Sequence, residues 1–192
     1  GGYVFVFTGV AMAAGNNEFL FYGLVMLALI GGVLWLDRRV GFSQPVLWGL
    51  ALWGLLHMAG GNIEIDGKAE QSVGATNAAR NVLYNLRPAA YLPRYDQFVH
   101  AYGFFVATLA CSEALRAAVG VRASAGATGA GRPRLRVGLG LAAANEVIEF
   151  IATLVLPNTN VGGYVNTGWD LVANGIGATL AAALVWVRNR RA

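Results

Sequence analysis

Long apolar runs are the feature that most constrains how this chain folds. Five of them approach the roughly 20 residues that a helix needs to cross a bilayer, and the chain is 56% hydrophobic and 12% charged. That composition is too apolar for a soluble domain of 192 residues. We therefore predict an all-α, polytopic transmembrane helix bundle with about six spans, at 1–14 (in part), 18–36, 44–60, 95–116, 137–156 and 168–187.

The first of these runs, 1–14, has no basic segment before it. Signal peptides carry such a segment. We therefore expect the run to be the outer part of a first span rather than a signal peptide.

Basic residues predict how the bundle is oriented. Ten of the fourteen Lys and Arg residues lie in three segments, which are 37–39, 116–136 and the terminal RNRRA. Positive residues collect in cytoplasmic connections, so these segments and both termini are predicted to be cytoplasmic. The same placement accounts for the net charge of +4, and nucleic-acid binding is therefore excluded as an interpretation.

The connections suggest one integral membrane domain over residues 1–192. The 61–94 segment is predicted to be an outer loop, either with a short amphipathic helix on the membrane surface or as an irregular ordered cap. The Gly/Ala-rich 123–134 segment is predicted to be a flexible cytoplasmic linker. The single Cys111 excludes an internal disulfide and a CxxC pair, and is predicted to be a packing residue.

Ionisable side chains inside the predicted spans are the candidates for function. An acidic residue at the centre of a span costs about 2.5–3.5 kcal/mol on insertion scales, so each one needs a partner. Residues three or four apart share a helix face. By that rule Asp96 pairs with His100, and Glu146 with Glu149. The predicted outward-facing site, shared by four helices, comprises His57, Asp96, His100, Glu146, Glu149 and Asp170.

The composition of this set points to a metal. Four carboxylates and two histidines stand in the spans with no Lys or Arg except Arg94 at a margin, and their mutual repulsion requires protons or a cation. Mixed imidazole and carboxylate ligands suit zinc, iron or manganese, whereas carboxylates alone suit magnesium or calcium. The alternative is that these groups only tie helices together, an interpretation that applies most to Asn145, Asn166 and Asn174.

Small residues on the last predicted span indicate a close helix contact. Ala173, Gly177 and Ala181 recur at intervals of four, so they lie on one face. Small side chains let two backbones approach closely within a membrane. We predict that another helix packs against this face.

Four motifs resemble those of the YjdF-like bacterial inner-membrane proteins: LHMAGG, YDQFVHAYGFF, NEVIEF and GYVNTGWDLVANGIGA. Their order and spacing match over about residues 45–180, and the last motif is more distantly similar to VanZ-like membrane proteins. The resemblance implies a multi-pass protein of the bacterial inner membrane and the same six site residues. The chain departs from that pattern at Asn62, where histidine is common, and at Asn166, where aspartate is common.

Three functional hypotheses follow. The first is a metal-dependent enzyme acting on a lipid or envelope substrate at the outer leaflet, with Glu149 as the preferred general base and Glu146 as the other catalytic candidate. The second is an accessory or structural subunit of a larger membrane complex, which the residues at Asn62 and Asn166 favour. The third is a cation- or proton-coupled transporter using the two glutamates, for which an inverted repeat would be expected.

Overall fold

The computed structural model describes residues 2–65, 81–119, 131–156, 159–161 and 163–191. Within those ranges the chain is built from helices, and the predicted all-α class is confirmed. Each predicted span lies on a helix. In chain order the helices are α1 (Gly2–Ala13), α2 (Asn17–Val40), α3 (Gln44–Asn62), α4 (Tyr95–Val119), α5 (Gly131–Val155) and α6 (Tyr164–Arg191).

Four helices are long and apolar enough to cross a membrane: α2, α4, α5 and α6. The 12-residue α1 is apolar but shorter, and the 19-residue α3 is not among the four candidate spans found in the described part of the chain. The count of six spans and the cytoplasmic placement of both termini stay predictions.

The connection between α3 and α4 is an ordered cap over its described part, residues 81–94. Val82 pairs with Glu64 in an isolated antiparallel bridge, and a single 3-10 turn covers Leu83–Asn85. Tyr95 then donates its N–H to the carbonyl of Leu86 at 2.8 Å as α4 begins. The irregular cap is thus the form seen for 81–94, while residues 66–80 lie outside the described residues.

Part of the predicted cytoplasmic linker 123–134 also lies outside the described residues, up to residue 130. The helix α5 begins at Gly131, so the last four residues of that predicted linker are helical.

Helix α4 lies at the centre of the bundle and packs most closely against α6. At Gly177, a β-carbon would collide with the backbone carbonyl of Ala101 and crowd the amide of Phe105 on α4. The neighbouring Ala173 and Ala181 are buried. The predicted small-residue face is therefore confirmed as a close contact, and it holds the two helices that carry much of the polar site in register.

Replacing Gly177 with alanine is expected to destabilise the bundle, because the added methyl group would push α6 away from the α4 backbone. Overpacking of this kind costs about 1–3 kcal/mol. Thermal unfolding in a fixed detergent would measure the change. Gly175→Ala is the matched control, since a β-carbon there meets nothing within 4 Å, and removing a helical glycine stabilises by up to about 1 kcal/mol. Equal stability of the two variants would contradict the close packing.

Side-chain contacts join the helices at the other end of α4. The Glu113 carboxylate accepts hydrogen bonds from the backbone N–H and the hydroxyl of Ser43, at 2.8 and 2.6 Å, where α3 begins. Arg116 donates to Asn189 near the end of α6. The polar site lies at the opposite, N-terminal ends of α4 and α6.

Candidate functional site

His100 is the centre of the polar cluster. It lies in the second turn of α4 and is 7% exposed. Its Nε2 atom is 3.5 Å from Asp96 Oδ1 and 3.5 Å from Glu149 Oε1, and its Nδ1 atom is 3.6 Å from Glu146 Oε1. The (i, i+4) spacing on α4 brings Asp96 to the imidazole, and α5 supplies the two glutamates. The two predicted pairs therefore face each other across the helix contact.

Asn174 on α6 determines which nitrogen of His100 carries a proton. Its side-chain amide donates to Glu146 Oε1 at 3.0 Å, and its oxygen lies 3.1 Å from His100 Nδ1. Because a carboxylate only accepts hydrogen bonds, the NH₂ group faces Glu146 and the amide oxygen faces the imidazole. Nδ1 must then donate its proton to Asn174. In the neutral imidazole this leaves Nε2 with a free lone pair, which is the form that binds metals.

Asn166 on α6 forms hydrogen bonds with two aspartates of the cluster. Its side-chain N–H groups donate to Asp170 Oδ2 at 2.6 Å and to Asp96 Oδ2 at 3.3 Å. Asp170 has no exposed surface, and its Oδ1 atom has no hydrogen-bond partner among the described residues. The Oδ2 atom of each carboxylate is therefore bonded to the amide, while Asp170 Oδ1 has no partner among the described residues and Asp96 Oδ1 lies beside His100 Nε2.

Two overlapping sets of side chains are spaced as metal ligands. In each set one ligand atom per residue lies within 4.8 Å of the others. The separation of 3.5 Å between His100 Nε2 and Asp96 Oδ1 is close to the ~3.4 Å expected for two ligands placed tetrahedrally at ~2.1 Å from one ion. The sets are Asp96, His100 and Asp170, and His100, Glu146 and Glu149.

A small polar cavity of about 30 Å³ adjoins the cluster. Its walls include Asp96, His100 and Glu149 from the cluster, and Arg94 and Glu18 from its surroundings. A volume of this size holds about one water-sized group. The cavity is therefore large enough for a small ion or water beside His100.

His57 lines the same cavity but is engaged elsewhere. Its Nδ1 atom lies 2.5 Å from the phenol oxygen of Tyr84, which is also 3.1 Å from the His57 carbonyl. The rings of Phe19, Tyr22 and Tyr84 surround it, at centroid distances of 5.5 to 5.8 Å. Burial raises the pKa of the Tyr84 phenol well above its usual range, so this group stays protonated at neutral pH. The structure therefore brings together five of the six predicted site residues and places His57 in an aromatic cluster beside them.

Sequence reasoning missed Glu18 as a site residue. This carboxylate is 4% exposed, and its Oε2 atom accepts hydrogen bonds from the backbone and side-chain N–H of Asn160, at 2.8 and 3.0 Å. An acid in the first turn of a helix is ordinarily explained by the helix dipole, and Asn160 is 142 residues away along the chain. No local sequence signal would have joined the two.

Comparison with known proteins gives a family for the whole chain. Residues 1–191 match the family described as "Predicted membrane protein (DUF2238)". The chain therefore belongs to this family of predicted membrane proteins. No curated protein and no solved structure matches the chain.

Proposed function

Starting from membership of a predicted membrane protein family, we propose that the cluster binds one divalent metal ion through Asp96, His100 and Asp170. One observation carries this proposal. The amides of Asn166 and Asn174 bond His100 Nδ1 and the Oδ2 atoms of the two aspartates, and they leave His100 Nε2, Asp96 Oδ1 and the unpartnered Asp170 Oδ1 as possible donors. Metal sites are commonly supported in this way by partners that bond the far side of each ligand.

The ligand types narrow the choice of ion. One imidazole and two carboxylates suit zinc, iron or manganese, whereas magnesium and calcium prefer oxygen ligands alone. Five carboxylates lie in or beside the cluster, those of Glu18, Asp96, Glu146, Glu149 and Asp170. The cations beside them in the described part of the chain are Arg94 and, when protonated, His100. A divalent ion would offset this excess of negative charge.

We propose further that the site is that of a metal-dependent enzyme, with hydrolysis as its reaction. A bound divalent ion of this kind lowers the pKa of its water and polarises a carbonyl or phosphoryl oxygen. Glu149 is the proposed general base. Its Oε1 atom lies 3.5 Å from His100 Nε2 and accepts a hydrogen bond from Asn145 at 2.8 Å. Glu149 can therefore take a proton from water beside the ion without being one of the three ligands.

The remaining proposed assignments concern position and substrate. Glu146 orients Asn174, and through it His100. His57 stays outside the proposed ligand set, because neither of the two sets of closely spaced ligand atoms contains it. The placement of the site at the outer leaflet of a bacterial inner membrane, and a lipid or envelope substrate, belong to the same proposal.

Metal analysis of the purified protein tests the proposal. We expect about one zinc, iron or manganese ion per chain in the wild type, and less than about a tenth of that in Asp170→Asn, which exchanges a ligand oxygen for an amide. Asp37→Asn is the matched control. Asp37 accepts a hydrogen bond from the backbone of Phe42 at 2.7 Å, far from the cluster along α2, and an asparagine oxygen can replace it. A metal-free wild type would contradict the site and favour the structural-subunit hypothesis, whereas equal metal in both variants would show that Asp170 is not a ligand.

A further inference from the structure

A second cavity, which we call the apolar groove, runs along the helices and ends at the polar cluster. It has a volume of about 320 Å³ and lies between α2, α3 and α5. Its walls are mainly aliphatic side chains, such as Met26, Leu29 and Leu50, and Ala51 lines it from α3. This volume is at the lower end of the range of small-molecule sites.

The groove and the small polar cavity share walls. Tyr22, His57 and Glu149 line both, and Asn145, which donates a hydrogen bond to Glu149, also lines the groove. An occupant of the groove would therefore place one of its ends beside Glu149 and His100. Of the polar cluster around His100, it is Glu149, the proposed general base, that lines both the groove and the small polar cavity.

The two ends of the groove differ in chemistry. Along α2 the lining runs from Tyr22 to Asp37, about 22 Å at 1.5 Å per residue, which is most of the ~30 Å hydrocarbon thickness. At the far end the Asp37 carboxylate is engaged by the Phe42 N–H. That bond uses one of the two Asp37 oxygens, and the Tyr3 hydroxyl lies beside Gly54 within the lining. The other hydrogen-bonding side chains, those of Tyr22, His57, Asn145 and Glu149, lie at the Glu149 end. An occupant therefore needs a long apolar part and a polar end beside Glu149.

We propose that the groove binds an acyl chain of a bilayer lipid and presents the lipid's polar end to Glu149, so that the substrate class of the site is a membrane lipid. The groove lies on α2 and α5, which are candidate spans with many exposed apolar side chains, so a lipid can enter it sideways from the bilayer. The identification of a substrate rests on the proposed function, whereas chain binding does not.

Photo-crosslinking in nanodiscs of phosphatidylethanolamine and phosphatidylglycerol tests chain binding. The probe is a phosphatidylethanolamine with a diazirine in the middle of one acyl chain, and mass spectrometry locates the modified residues. In the wild type we expect cross-links at Met26 and Leu29 that exceed those on the exposed face of α6. Ala51→Trp, which fills the groove, should lower the groove cross-links about tenfold. Ala28→Trp, an exposed position of α2 outside the groove lining, should leave them unchanged.

Metal content measured on the same samples separates this inference from the proposed function. Groove cross-links that depend on Ala51 in a metal-free protein would support chain binding and refute the metal site. A metal-loaded protein without them would refute chain binding alone. Two other results would also overturn the inference. One is cross-linking spread evenly over all lipid-facing helices, and the other is a groove occupied by a second copy of the chain. If Ala51→Trp fails to fold, Ala51→Leu gives a smaller block, for which a partial loss of groove cross-links is expected.

Discussion

Replacing His100 with glycine is expected to remove the metal ion. His100 supplies the one nitrogen donor of the proposed site, and its Nε2 atom lies 3.5 Å from Asp96 Oδ1. Losing a supporting residue outside the ligand set commonly costs 10- to 100-fold in metal affinity, so losing the ligand should cost more than about 100-fold. Competition with a chelator of known affinity would measure the loss. Added imidazole should restore part of the binding, because the glycine leaves the space of the ring vacant.

His57→Gly is the matched control, since the sequence contains two histidines and both lie within helices. Neither set of closely spaced ligand atoms contains His57, so this variant should keep its metal. It removes a ring from the aromatic cluster and should therefore unfold more readily. Equal metal loss in the two variants would show that both histidines are ligands, as the sequence alone predicted. Retention of the metal by His100→Gly would refute the proposed ligand set.

The helices were predictable because bilayer thickness fixes the length of an apolar run. The ends were less predictable. The helix α6 continues to Arg191 and α5 starts at Gly131, beyond the predicted spans, since arginine is a good helix former and hydropathy marks where a helix leaves the membrane rather than where it stops. The helix α6 also begins earlier than its predicted span, at Tyr164, so Asn166 lies within the helix and can bridge Asp96 and Asp170.

Spacing also predicted which polar faces meet, but not which atoms are engaged. The (i, i+4) and (i, i+3) rules place Asp96 with His100 and Glu146 with Glu149, and the structure brings these pairs together. Depth in the membrane placed His57 at the same level, yet it cannot give the direction in which the side chain points. Its contact with Tyr84 depends on the cap segment, for which the sequence left two forms open, a short amphipathic helix or an irregular cap.

The sequence also could not predict which atoms the three asparagines bond. Asn145, Asn166 and Asn174 had hydrogen-bonded helix ties as an alternative interpretation, and each does join polar groups within or between helices. The sequence could not show that two of them bond the proposed ligands through His100 Nδ1 and the aspartate Oδ2 atoms, which leaves the other atom of each side chain for a metal. A hydrogen bond that ties helices and one that orients a ligand use the same residue type, and only the partner atoms distinguish them.

Changing Glu149 to glutamine is expected to abolish turnover while the metal stays bound. In the proposed mechanism Glu149 takes a proton from water beside the ion, and an amide cannot accept that proton. General base catalysis contributes about 10²- to 10⁴-fold, so the rate should fall by that factor. The measurement is the release of soluble or lipid products from vesicles of phosphatidylethanolamine and phosphatidylglycerol, followed by mass spectrometry with metal content determined on the same samples.

The matched control is Glu113→Gln, the same substitution where the carboxylate binds Ser43 at the other end of α4. It should keep both the metal and the rate, because its contacts join α3 to α4 and do not reach the cluster. If Glu149→Gln loses the metal together with the rate, Glu149 is a ligand, and the set formed by His100, Glu146 and Glu149 holds the ion. If it keeps the wild-type rate, Glu149 is not the base. A loss of rate without a loss of metal therefore distinguishes the two sets around His100. The set with Glu146 needs Glu149 as a ligand, whereas the set with the two aspartates leaves Glu149 able to accept a proton.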